Sequence, residues 1–183
     1  MDDAGFSKVG ADFPVYMNGI GDQYALARTE RKTKPGYGGF DVNFDTSITL
    51  EDDLERRDLT INAMAREVIS WNVQGHAHLS DEIIDPFDGQ GDLKKGVLRH
   101  VSAAFDEDPL RVLRVARFCS RFNFEVHPST MRLMCDLVRE GEVSHLVPER
   151  VWIEFEKALM EEHPCNFFRI LDECDALNLI MPE

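Results

Sequence analysis

From Ser102 to the end of the chain the apolar residues recur at helical spacing, whereas before Leu50 they come in short runs broken by glycine and proline. The first pattern is that of amphipathic helices and the second that of short strands. A chain of 183 residues carrying both in that order is expected to be α+β, a β-rich piece followed by an all-α piece. The length suffices for one good core or two small ones. Helices are predicted over about Pro109–Arg121, Ser129–Glu140, Pro148–Glu162 and about Cys165–Cys174. Pro128 and Pro148 suit helix starts, and Gly141 suits the position just past a helix end.

Between Phe13 and Leu50, "FPVYM" and "YALAR" read as strands, with "KPGYGGF" as a hinge. "LEDDLERRDLTINAMARE" then predicts a helix entered near Asp58 to Thr60 after an acidic turn. Leu54, Leu59, Ile61, Ala63, Met64 and Ala65 would cover one of its sides. "SWNVQGHAHLSDE" has no clear period and reads as a surface excursion. The two pieces join near Asp85, which divides the chain into 1–84, 85–147 and 148–183.

Composition narrows the function. A formal net charge of -14 and a pI near 4.8 argue against a non-specific nucleic-acid coat, whose affinity comes from neutralising many phosphates. Any contact with nucleotide or RNA must therefore be local. The four cysteines, Cys119, Cys135, Cys165 and Cys174, show no CxxC spacing, so they read as reduced core thiols rather than a zinc site or a disulfide framework. "MDDAGFSKVG" lacks the features of a signal peptide, and no apolar run approaches the ~18 residues of a membrane span. A cytoplasmic protein without membrane contact is expected.

Four motifs carry chemistry. In "EDPLRVLRVARFCSR", at about 100° per residue, Arg111, Arg114, Arg117 and Arg121 fall within a third of the helix circumference. Glu107 lies beside them and Asp108 at the edge, while Val112, Leu113, Val115, Ala116 and Cys119 take the other side. One face is expected to be core and the other a binding surface. As structure alone, the motif is a helix with i,i+3 and i,i+4 ion pairs worth roughly 0.2 to 0.5 kcal/mol each. As chemistry, Asp108 accepts and Arg111 donates, an edge of the kind a base's Watson–Crick face can meet. In "ERRDLTINAMA", Arg56, Arg57, Asp58 and Asn62 cluster at a helix start. Asp58 is either a helix cap or the acceptor for a ribose hydroxyl, and a guanidinium fork such as that of Arg57 matches phosphate oxygens. "DPFDGQGDLKKGVLRH" suggests a tight, adjustable connector, and lacks the closing Glu of a calcium loop. In "PERVWIEFEKAL", Arg150 and Glu154 stand at i,i+4 and read as an intrahelical ion pair.

These segments, with "DFPVYM", "YALARTERK" and "IIDPFDGQGDLKKGVLRHVS", come in the order and spacing of bacterial class II tRNA nucleotidyltransferases, the CCA-adding enzymes, which the chain resembles from about Val9 to Glu183. The resemblance implies a partial nucleotidyltransferase head followed by an all-α neck. It implies addition of C, C and A to tRNA 3′ ends from CTP and ATP with Mg2+. Arg56 to Asp58 would be the ribose-recognition motif, with Asn62 in the same nucleotide site. Glu107, Asp108 and Arg111 would be an amino-acid template choosing CTP or ATP, Arg114 and Arg117 would contact the nucleotide, and Arg150 and Glu154 would brace the helix.

The family's Gly-Gly, Arg-Asp loop and its Asp-x-Asp metal strand have no counterpart before Phe13. Asp2-Asp3 and Asp41-x-Asn43-x-Asp45 do not substitute for them, and Glu30 and Asp22 are the remaining candidates for a catalytic carboxylate. The chain is thus expected to be a fragment, truncated at both ends and inactive alone, with an open sheet edge that invites self-association. Rival readings are a poly(A) polymerase fragment and a non-catalytic nucleotide- or RNA-binding remnant.

Overall fold

The computed structural model describes residues 7–9, 15–27, 29–32, 40–43, 47–72 and 76–182. Its N-terminal part is built of short antiparallel pairings. Strands β1 (Ser7–Val9), β2 (Val15–Met17) and β3 (Gln23–Ala25) form one sheet in that order, and β4 (Thr29–Lys32) pairs with β5 (Phe40–Asn43). The strands expected between Phe13 and Leu50 are therefore present.

The next helix differs from expectation. α1 spans Leu50–Glu55 and ends before the arginine pair, and only a 3-10 turn follows at Thr60–Asn62. Thr49 supplies the reason: its side chain accepts from the Asp52 amide while Asp52 reaches back to the Thr49 amide, a capping box followed by acids in the first turn. The 3-10 turn has no such cap, because Leu59 precedes it. Asp58 thus does not cap an α-helix.

"SWNVQGHAHLSDE" contains a hairpin, β6 (Val68–Trp71) paired antiparallel with β7 (Ala77–Leu79). The stretch expected to be a tight, adjustable connector holds a helix. Helix α2 (Gly89–Lys95) ends at the left-handed Gly96 and leads into β8 (Val97–Leu98). Asp85 accepts from the amides of Gly89 and Gln90 at 2.7 and 2.9 Å, which holds the first turn. Buried Asp92 takes Thr60 Oγ1 at 2.9 Å and Arg99 Nε at 2.9 Å, so α2 is fastened to the turn that follows the arginine pair.

The helical part follows its punctuation closely. α3 (Leu110–Phe122) stops at Asn123, which adopts the left-handed conformation tolerated by Asn. β9 (Glu125–Val126) then returns parallel to β8. Pro128 opens α4 (Pro128–Arg139), Gly141 follows its end at φ 82°, and Pro148 opens α5 (Pro148–Leu159). α5 ends short of Glu162, where acidic residues oppose the helix dipole. α6 (Cys165–Glu173) and a short α7 (Leu177–Ile180) complete the described chain.

The core gathers around α3, which packs against α5 and α6. Leu113, Val115, Ala116, Cys119, Phe167, Ile170 and Leu171 are buried there, with Leu59 and Leu98 reaching it from the N-terminal side. α3 departs from the expected two-faced helix: ten of its thirteen residues are buried, including Arg111 and Arg117. Burial pushes the thiols of Cys119 and Cys174 up to about 12 and about 11, as befits inert core thiols.

Candidate functional site

The arginine pair after α1 and the start of α3 are separated by some fifty residues and meet in one hollow of about 520 Å3. Arg56, Arg57, Asp58 and Asn62 line it from one side, and Asp108, Leu110, Arg111, Arg114 and Phe118 from the other, with Arg150 of α5 closing the ring. The hollow is strongly polar, and five of its ten lining residues are arginines.

Asp58 is its most deeply set carboxylate, 6% exposed. Arg114 donates from Nε at 2.8 Å and from Nη2 at 2.6 Å to Asp58 Oδ2. The Leu59 amide at 2.9 Å and Asn62 Nδ2 at 3.0 Å donate to Oδ1. Four N–H groups therefore occupy the acceptor positions of one carboxylate. Burial works to raise the Asp58 carboxyl, but the Arg114 charge and these hydrogen bonds outweigh it and hold it below the usual range. The same pairing raises Arg114 against the opposing effect of its own burial.

The arginines divide by what faces them. Arg57 is the most open: Nη2 meets Asp53 Oδ2 at 3.1 Å and Nη1 donates to Asn62 O at 3.0 Å. Arg114 is half-buried beside Asp58. Arg111 is only 9% exposed and donates from Nη1 to Ala104 O and from Nη2 to Arg56 O at 2.6 Å. It straps α3 to the arginine-pair loop rather than presenting an edge beside Asp108. Arg117 does not reach the hollow. It is 8% exposed, bridges to Glu154 Oε2 at 2.6 Å and to Glu161 at 3.6 Å, and lies 4.4 Å from the Phe118 ring centroid. The nucleotide contact expected of Arg117 is corrected on that ground: a buried guanidinium needs a carboxylate partner, and here Glu154 supplies it.

Arg150 and Glu154, expected to pair along one helix, instead reach towards the start and the middle of α3. Arg150 donates to Asp108 Oδ2 at 2.8 Å and Oδ1 at 3.3 Å, while Glu154 receives Arg117. Asp108 also accepts from the Leu110 amide at 3.1 Å, and Glu107 belongs to a separate hollow of about 280 Å3 bounded by Asp52, Arg56 and Ala104. Glu30 lies in β4 and its side chain is outside the described residues; Asp22 caps a turn with Asn18. Phe118 and the inward position of Arg150 were not singled out from the sequence. An aromatic residue one turn beyond Arg114 was the available signal for the first. Among the described residues, no group of three His, Cys, Asp or Glu side chains forms a metal cluster.

Residues 16–99 match the family model of the poly(A) polymerase head domain, and residues 123–183 match that of a probable RNA and SrmB-binding site of polymerase A. The chain is 54% identical over 180 residues to a multifunctional CCA protein of Nitrosococcus oceani, covering 98% of the chain and 42% of that protein. It is 52% identical to the multifunctional CCA protein of Nitrosomonas europaea, covering 98% of the chain and 41% of that protein.

Along nearly its whole length the chain is similar to one part of the CCA-adding enzymes.

A CCA-adding enzyme in an apo form superposes with a TM-score of 0.76 at 32% identity, over 97% of this chain and 40% of that one. The Thermotoga maritima CCA-adding enzyme complexed with tRNA gives a TM-score of 0.69 at 32% identity, over 97% of this chain and 38% of that one. The chain thus spans about two fifths of the length of the CCA-adding relatives it matches. Residues 100–122, with Asp108, Arg111 and Arg114, fall between the two matched family segments. Among the described residues no helix is long and apolar enough to cross a membrane.

Proposed function

We propose that this chain forms the nucleotide-selecting part of a tRNA nucleotidyltransferase that extends tRNA 3′ ends with CTP and ATP. The triphosphate lies against Arg57 and Arg114, and the base edge meets the acceptor–donor pair made by Asp108 and Arg150. Arg111 stands behind that pair as a strap. The observation that carries this reading is the convergence of both motifs on one arginine-lined hollow. Anionic phosphates fit forked guanidinium donors, and a mixed donor and acceptor edge discriminates bases.

Asp58 contacts a ribose hydroxyl only when Arg114 yields one of its bonds, so phosphate capture by Arg114 precedes sugar recognition. Mg2+ would supply Lewis-acid activation of the attacking hydroxyl and the leaving pyrophosphate. No cluster fit for it forms among the described residues. Titration calorimetry of this chain with CTP, ATP, UTP and GTP tests the reading. CTP and ATP should bind more tightly than UTP and GTP. Arg114→Ala should weaken all four alike, because phosphates carry no base identity. Asp108→Asn should change their ranking, a mismatched base contact being worth about 1 to 3 kcal/mol. Equal binding of all four by the parent chain, or none, refutes it.

A further inference from the structure

Asp53 is an acid placed where an anion site should not want one. It sits on α1 one turn before the arginine pair, is 8% exposed, and takes both arginines at once. Arg56 donates to Oδ1 from Nη2 at 2.7 Å and from Nε at 3.2 Å, and Arg57 donates to Oδ2 from Nη2 at 3.1 Å. Burial works to raise its carboxyl, yet the two guanidinium groups keep it below the usual carboxylate range, so it is charged at neutral pH. Coulomb's law by itself says that a carboxylate here weakens phosphate binding.

Geometry says the opposite. An exposed Arg side chain has many rotamers to lose, and an anion that must immobilise it binds more weakly for that reason. Asp53 on one Nη and Asn62 O on the other hold the Arg57 guanidinium at two points. Two of its five N–H donors serve these contacts, so the group can still meet an anion without first being ordered. Through Arg56 the same carboxylate reaches the second motif, because the Arg56 carbonyl receives Arg111 Nη2 from α3.

We propose that Asp53 is a positioning residue for triphosphate capture, fixing the Arg56 and Arg57 guanidinium groups at the hollow. The proposal rests on the nucleotide reading of that hollow. Positioning and charge damping predict opposite signs, which makes it testable on this chain.

The experiment measures dissociation constants for inorganic tripolyphosphate and for CTP at fixed ionic strength, in the parent chain, Asp53→Asn, Arg57→Gln and the double variant. Asp53→Asn should weaken both ligands about tenfold, the size of effect seen when a supporting partner of a ligand-holding group is removed. Arg57→Gln should weaken them comparably, and the double variant should be little worse than Arg57→Gln, since Asp53 acts largely through that side chain. If circular dichroism shows Asp53→Asn unfolded, Asp53→Glu takes its place: the charge stays, the carboxylate moves by one methylene, and weaker tripolyphosphate binding is again expected. Unchanged or tighter binding by the Asp53 variant, or full additivity in the double variant, overturns the positioning role while leaving the nucleotide reading intact. Failure of the parent chain to bind either ligand overturns the nucleotide reading and the proposal with it.

Discussion

Arg111, Arg114 and Arg117 are three residues apart in sequence and have three different fates. Arg117 meets Glu154, Arg114 meets Asp58, and Arg111 meets two backbone carbonyls. Among the described residues every buried side-chain nitrogen and oxygen has a hydrogen-bond partner, so each of these pairings is costly to break. Glu154→Ala leaves the Arg117 guanidinium buried with only Glu161 at 3.6 Å. Removing one member of a buried pair is expected to cost about 3 kcal/mol, read as a lowered urea midpoint at unchanged slope. Arg121, on the same face, is exposed. Nothing in the i,i+3 spacing distinguishes these arginines; what does is the partner that the fold brings opposite, a carboxylate for Arg114 and Arg117 and backbone carbonyls for Arg111.

At the scale of elements, α2 and the arginine-pair loop approach each other closely at Gly89. A Cβ built on Gly89 would stand 2.2 Å from the Thr60 carbonyl oxygen and 2.9 Å from its carbon, both backbone atoms that cannot swing aside. Asp92 binds Thr60 and Arg99 on the same joint. Gly89→Ala is therefore expected to push α2 off the loop and destabilise the chain by roughly 1 to 3 kcal/mol, checked by the melting temperature. Because the loop carries Arg57 and Asp58, triphosphate affinity should fall with it. In the sequence the glycines here suggest a tight, adjustable connector. Gly89 instead serves close packing, a use of glycine that composition cannot separate from flexibility.

For the molecule as a whole, the buried carboxylates set the response to acid. Asp53, Asp58 and Asp92 are all held below their ordinary range, burial in each case being outweighed by arginine charges and hydrogen bonds. A carboxylate whose folded pKa is depressed contributes stability that is fully present above its unfolded value, about 3.9. That contribution is lost as pH falls through the folded value. Denaturant midpoints should therefore drop steeply below about pH 4. Relief of the repulsion within a chain of net charge -14 acts with the opposite sign on acidification, so the parent curve mixes the two. Asp58→Asn isolates the local part: its midpoint should be lower at pH 7 and fall less between pH 5 and pH 3.

The order of β-rich and helical parts, and the start or stop of α4 and α5 at Pro128, Gly141 and Pro148, followed from the sequence because each rests on local backbone preference and hydrophobic period. The motif segments were legible through their order and spacing, which resemble those of the CCA-adding enzymes, although each also admits a purely structural reading. α1 was misplaced because a capping box at Thr49 and Asp52 competes with the apolar run after Asp58, and the local hydrogen bonds win. Which arginines bind and which brace was decided only by tertiary structure. A guanidinium's role is set by the charge that stands against it, and Asp58, Asp108 and Glu154 are brought to their arginines by folding across 37 to 56 residues of chain.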